Sequence, residues 1–95
     1  MTDQEFHRIS KVLADPRRFR LLQQIIGGAP EEVSCQLMLK ESGIAPATMS
    51  HHLKELETAG IIESRFDGQS KFLTARTDVI QGYERELARR LGTKR

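Results

Sequence analysis

At Gly60 the spacing of apolar side chains changes from helical to alternating, and this switch narrows the possible folds more than any other feature. Before it, Ala45–Ala59 reads APATMSHHLKELETA, with Met49, Leu53 and Leu56 at i, i+4 and i+7. That spacing gives one apolar helix stripe facing a core. Pro46 suits the first helical position, where its missing N–H would have been unpaired anyway. Ala45 stands where a Ser would cap the helix better. After the switch, Ile61–Phe66 and Gln69–Thr74 flank Asp67-Gly68, the strongest short signal for a β-hairpin in the chain.

Three helices are expected upstream. Residues 3–14 carry Phe6, Ile9 and Leu13 on one face. Asp15-Pro16 ends that helix and opens the next, since Asp caps well and Pro fits the first turn. Phe19, Leu22 and Ile26 supply the core stripe of the second helix, with Arg17, Arg18 and Arg20 on or near its exposed side, and Gly27-Gly28-Ala29-Pro30 stops it. These arginines suit either a phosphate or plain solvation. A third helix spans Ser34 to Ser42, with Val33, Leu37 and Met38 inward and Gly43 as its C-cap. The short Ser42–Ala45 connection makes it the first member of a helix-turn-helix pair, of which Ala45–Ala59 is the second.

A helix-turn-helix followed by a polar-tipped hairpin is a winged helix: mainly α, with a small β-hairpin, over a single domain of residues 1–95. On the second helix of the pair, Ala47, Ser50, His51 and Lys54 face away from the core stripe. Small residues allow close approach to a DNA major groove, Ser and His can address base edges, and Lys can meet phosphate. Arg65, Gln69, Ser70 and Lys71 lie on or beside the wing, where phosphate or minor-groove contact is expected. Residues 77–91 form a last helix with Thr77 as its cap; Val79, Ile80, Tyr83, Leu87 and Leu91 make a long stripe. That stripe serves either its own domain or, with Phe6 and Ile9 of the first helix, a dimer face. Gly92-Thr93-Lys94-Arg95 is a basic tail.

Charge is segregated. The 95 residues carry a formal net charge of +2, distributed as +2 over residues 1–20, −4 over 21–63 and +4 over 64–95. A basic C-terminal third is compatible with a polyanionic partner. The single cysteine, Cys35, excludes an intrachain disulfide and any Cys-x-x-Cys pair. It reads as a small buried hydrophobe before a redox sensor. With no secretory signal and no apolar run long enough to span a membrane, a cytoplasmic protein without membrane contact is expected.

The order of elements resembles the ArsR/SmtB family of small bacterial winged-helix repressors over nearly the whole chain. Three fragments carry the likeness: Leu13-Ala14-Asp15-Pro16-Arg17-Arg18-Phe19-Arg20-Leu21-Leu22, Gly43 through Leu56, and Ala59-Gly60-Ile61-Ile62 with Arg65 and Asp67-Gly68. The resemblance implies a homodimer joined by first and last helices, reading an inverted-repeat operator in double-stranded DNA. It also implies that Ala47, Thr48, Ser50 and His51 face the bases, while His52, beside the apolar stripe, has a packed or phosphate-touching role.

The chain departs from the family at its metal sites. Where the third-helix thiolate pair is expected, Ser34 and Gln36 flank Cys35; on the last helix Asp78 is followed by Ile80, and Arg89-Arg90 stand where later ligands belong. Neither set suits a metal, and adjacent His51-His52 diverge by ~100° on a helix. No metal site, cofactor or catalytic residue is expected: there is no phosphate loop, nucleophile motif or paired carboxylate set. No inducer is identified. The alternative to a DNA-binding repressor is a winged-helix module that binds protein, suggested by Glu55 and Glu57 on the recognition helix.

Overall fold

Strong caps set where most of the helices begin. In the computed structural model, which describes residues 1–93, α1 (Asp3–Leu13) opens with a capping box: the Thr2 hydroxyl accepts from the Glu5 amide and the Glu5 carboxylate accepts from the Thr2 amide. Asp15 caps α2 (Pro16–Gly27) by accepting the Arg17 N–H at 2.8 Å, and Pro16 fills the first turn as expected. Ser34 caps α3 (Cys35–Ser42), which closes on Gly43 in the left-handed region, φ 71°. The second helix of the helix-turn-helix pair, α4 (Pro46–Thr58), has Ala45 at its N-cap and no side-chain bond there.

The hairpin comprises β2 (Ile62–Asp67) and β3 (Ser70–Ala75), paired antiparallel from Ile62↔Ala75 to Asp67↔Ser70. Its turn is therefore Gly68-Gln69, one residue beyond the expected Asp67-Gly68. Only Gly68, with φ 62°, has a left-handed backbone. One positive φ at the first central position fits a type II′ turn, whereas an Asp-Gly type I′ turn needs two. A third strand, β1 (Val33–Ser34), was not expected. It pairs antiparallel with the outer edge of β3 and gives the order β1-β3-β2. Two residues are too few to leave an alternating pattern in sequence.

The core gathers around α4. Met49, Leu53 and Leu56 are buried as expected, and Ile61, Ile62 and Leu73 of the hairpin close over them. Three expected stripes need correction. On α2 the buried face is Leu21, Leu22 and Ile25, while Phe19 and Ile26 are 45% and 38% exposed. Leu22 belongs to both stripes, so spacing alone allowed either; packing against α1, α4 and β3 selected the one about 100° away. On α1 it is Val12 that is buried, with Leu13 half-buried beside it. On α3 Met38 is buried, but Leu37 is 53% exposed because so short a helix covers the core with one face only.

The last helix, α5 (Thr77–Leu91), begins one residue earlier than expected in its capping: Arg76, not Thr77, is the N-cap, and no side chain bonds there. No residue of α5 is fully buried. It docks on α1 through Tyr83, whose ring stacks on Phe6 at 5.1 Å and whose hydroxyl shares a 2.7 Å hydrogen bond with the Ser10 hydroxyl. The Arg90 guanidinium lies 4.3 Å over the Phe6 ring and pairs with Asp3 and Glu86. Lys94 and Arg95 of the expected basic tail lie outside the described residues.

The uncapped start of α4 is a correctable defect. Ala45 has the extended backbone of an N-cap, φ −62° and ψ 143°, so Ala45→Ser needs no rearrangement. It is expected to stabilise the protein by roughly 0.5–2 kcal/mol. Thermal melts at matched protein concentration should show a rise of several degrees; an unchanged midpoint refutes the assignment.

Candidate nucleic-acid interface

Burial of one side of α4 decides what its other side can do. With Met49, Leu53 and Leu56 turned inward, Ala47, Thr48, Ser50, His51 and Lys54 are all exposed. Together they form a strip of a methyl group, hydroxyls, an imidazole and a cation, with no bulky apolar group in it. Among the described residues Lys54 has no ion pair or hydrogen bond.

His52 is not part of this strip. It is only 3% exposed, and neither ring nitrogen has a hydrogen-bond partner among the described residues. Burial pushes its pKa down; Asp15 opposes the shift, while Arg17, Arg18 and His51 add to it. The residue is thus packed neutral beneath the recognition helix, against the start of α2. Of the two roles expected for it, the packed one holds.

The wing brings its cations to carboxylates first. Arg65 makes a two-pronged contact with Glu32, Nε at 2.9 Å and Nη2 at 2.7 Å, and its guanidinium stacks 5.0 Å from the Phe72 ring. These hydrogen bonds hold the Glu32 carboxyl below its ordinary range and raise the Arg65 pKa. Lys71 lies 3.6 Å from Glu57 of α4 and 5.7 Å over the Phe66 ring. Gln69 is exposed at the turn, and Ser70 is half-buried opposite Asp67. Phe66, 65% exposed near the wing tip, escaped notice in the sequence because it fitted the strand alternation. The exposed Arg65–Glu32 pair is worth about 1 kcal/mol or less, so a phosphate can replace that carboxylate at small cost, whereas the Lys71–Glu57 pair is half-buried.

The residues expected at a dimer face divide into two sets. Phe6 and Ile9 are 7% and 2% exposed, already covered within the protomer. Val79 and Tyr83 are half-buried, and only the outer end of the stripe, Leu87 and Leu91 at 38% and 68%, is open.

These features have counterparts among known proteins. The family described as a helix-turn-helix domain matches residues 13–65. The uncharacterized HTH-type transcriptional regulator YceK of Bacillus subtilis is 31% identical over 81 residues, spanning 85% of this chain and 80% of that protein. An ArsR-like transcriptional regulator from Rhodococcus sp. RHA1 superposes with a TM-score of 0.79 at 19% identity, over 94% of this chain and 80% of that one. The chain belongs to the helix-turn-helix family, and it shares the fold of the ArsR-like regulator. Similarity extends to a probable mercury resistance operon repressor of Streptomyces lividans, 36% identical over 62 residues, or 65% of this chain and 47% of that protein. The homodimeric winged helix-turn-helix DNA-binding domain Mb0332 of Mycobacterium bovis, described as a possible ArsR-family regulator, superposes with a TM-score of 0.72 at 22% identity, over 93% of this chain and 85% of that one.

At the positions where the resemblance to the ArsR/SmtB family would place metal ligands, the residues of this chain have other work. The Ser34 hydroxyl caps α3, accepting from the Leu37 amide at 3.3 Å. Asp78 is held below its ordinary pKa by hydrogen bonds from Arg76, which also reaches Glu63 on β2 at 2.7 Å. Arg89 and Arg90 both pair with Glu86. Cys35 is a free, half-buried thiol packed at the edge of the core. Among the described residues no group of three or more His, Cys, Asp or Glu is arranged to hold a metal.

The buried His52 makes stability depend on pH. Folding lowers its proton affinity, so the unfolded chain takes up the proton first. The contribution is complete above the ordinary imidazole value near 6.5 and is lost as pH falls through the lower folded value. Asp15 and Glu86, held down to about 2 by hydrogen bonds from the Arg17 amide and the Arg89 side chain, stay ionised through that window. Denaturant melts between about pH 5 and 7 should show stability declining on acidification, and His52→Leu should flatten the decline. A variant with the same slope as the wild type would place the titrating group elsewhere.

Proposed function

We propose that this helix-turn-helix chain is a transcriptional repressor of the ArsR type that binds double-stranded operator DNA as a homodimer. The observation that carries the proposal is the division of α4: one face consumed by the core, the other offering Ala47, Thr48, Ser50, His51 and Lys54 to solvent. In a major groove, Ala47 permits close approach, Thr48, Ser50 and His51 meet base edges, and Lys54 meets phosphate. Beside the groove, Arg65 and Lys71 exchange their carboxylate partners for phosphates, with Gln69 and Ser70 at the same wing.

The dimer uses the apolar stripe that the protomer leaves uncovered. Leu87 and Leu91 on α5 lie beyond the part of the helix that Tyr83 anchors to Phe6 on α1, and the similar Mycobacterium bovis domain is homodimeric. Phe6, Ile9, Val79 and Tyr83 shape that face from beneath. An isologous interface sets two α4 helices about one DNA turn (~34 Å) apart, which matches an inverted repeat. Repression then follows from occlusion of a promoter. Release follows when an effector favours a dimer geometry that no longer matches the groove spacing. The effector is not a metal at the family's usual positions, because Ser34, Gln36, Ile80, Arg89 and Arg90 supply caps, amides, alkyl groups and cations there. The chain acts without catalysis, in the cytoplasm, as one winged helix-turn-helix unit.

Selection from a randomised duplex pool tests the proposal. Recovery of an inverted repeat with half-sites near one turn apart is expected. Ser50→Ala or His51→Ala should erase preference at particular base positions, costing ~1–3 kcal/mol on the selected duplex and little on a scrambled one. A flat pool, with salt-dependent but unselective binding, would overturn it and favour a protein partner for the α4 surface.

A further inference from the structure

The wing cations are matched by carboxylates, yet one concave surface of the molecule is lined by cations and amides with no carboxylate among them. A cleft of about 580 Å³ opens between α2 and the turn from α3 to α4. Arg17, Arg20, Gln23 and Gln24 rise along its α2 wall, Ser42 and Ile44 form the turn side, and the lining contains no Asp or Glu. Arg17 touches Asp15 at 3.4 Å at the rim. Arg20 is exposed and has no ion pair or hydrogen bond among the described residues. The Ser42 hydroxyl donates to the Leu39 carbonyl and accepts from the Ile44 amide, so the guanidinium and carboxamide groups remain for a ligand. The chemistry of the cleft is that of an anion seat with an apolar floor at Leu21 and Ile44.

Its location relative to α4 narrows the anion. Taking Met49 as the centre of the buried stripe, Glu57 lies about 80° round the helix on one flank and His52 about 60° round on the other. Glu57 meets Lys71 of the wing, whereas His52 lies against the start of α2, within reach of the charges on Asp15, Arg17 and Arg18. The wing and the α2 cleft therefore stand on opposite sides of the recognition helix. A duplex that holds α4 in its major groove has a phosphate backbone along each side of that helix. The wing meets one; the cleft, two residues ahead of Pro46 at the start of α4, faces the other.

We infer that the α2 cleft binds backbone phosphate on the DNA strand opposite the wing, with Arg20 as the main contact, Arg17 as the second and Gln23 and Gln24 as neutral donors. The inference rests on the DNA-binding reading above and adds a contact which that reading does not contain. It assigns a sequence-independent anchoring role to arginines whose helix position alone was equally consistent with solvation.

The test uses the full chain, the duplex recovered from the random pool and a scrambled duplex of equal composition, with affinity measured against NaCl concentration. Arg20→Ala is expected to weaken binding to both duplexes by about three- to tenfold and to reduce the salt slope by about 0.9; Arg17→Ala/Arg20→Ala roughly doubles the change in slope. Arg20→Lys should restore most of the slope. Since Arg20 is exposed, the melting point of each variant should match the wild type. Neutral methylphosphonates introduced one at a time should identify a phosphate, on the strand opposite the wing, whose substitution no longer matters in Arg20→Ala. Unchanged affinity and slope in Arg20→Ala, while Lys54→Ala weakens binding, would overturn the inference alone. Failure of the wild type to bind either duplex would overturn the DNA-binding reading and this contact with it. Saturation of the cleft by inorganic phosphate, followed by NMR, without any loss of duplex affinity would make it a site for a small free anion and also overturn the inference.

Discussion

The burial of Met49, Leu53 and Leu56 beneath α4 is the constraint on which the rest of the molecule depends. These side chains are 2%, 1% and 0% exposed, and removing each from water contributes roughly 1.5–3 kcal/mol. They lock the rotation of α4 about its own axis. A helix slipped by one residue would turn by about 100°, carrying Ser50 into the core in one sense, or His51 toward the core and Leu53 toward solvent in the other. The chemistry of the exposed strip is thus held by apolar packing, since α4 has no side-chain cap at its start. α2 and the sheet supply the counter-surface, and Leu73 in the central strand is fully buried at its middle.

Electrostatics works differently on the two flanks of that helix. On the wing side, Arg65–Glu32 and Lys71–Glu57 neutralise the cations within the protomer. Those contacts tie the hairpin to the segment before β1 and to α4, holding the wing in position while leaving its charge available for exchange at low cost. On the α2 side the cleft has cations and amides but no carboxylate in its lining. Between the two flanks, His52 is buried and neutral, so the packing of α4 on α2 is sensitive to protonation of a residue outside the exposed strip.

The first and last helices are joined by contacts more specific than their amphipathic patterns suggest. Phe6 is covered on one side by the Tyr83 ring and on the other by the Arg90 guanidinium. A cation–π contact and an aromatic stack on the same ring fix where α5 lies on α1. The remaining length of α5 projects Leu87 and Leu91 outward. A single apolar stripe is thereby divided into an inner part that serves the protomer and an outer part open to a partner.

Much of this was legible in the sequence. The capping residue Asp15, the Gly43 C-cap, the α4 stripe and the hairpin after Gly60 all act within a few residues of themselves, so their positions along the chain determine their effect. The exposed strip of α4 followed from the same periodicity. What the sequence left open was decided by contacts between distant segments. Phe19-Leu22-Ile26 and Leu21-Leu22-Ile25 are both plausible apolar faces of α2, and only the simultaneous fit to α1, α4 and β3 chose the second. β1 exists because β3 offers it an edge, and Gly68-Gln69 forms the turn because register across the whole hairpin fixes it. The partners of Arg65 and Lys71, 33 and 14 residues away in the chain, and the cleft beside Arg20 are likewise products of assembly. Local periodicity and capping are written in neighbouring residues; rotation, register and charge pairing depend on which surfaces meet, and that is settled only when the whole chain is packed.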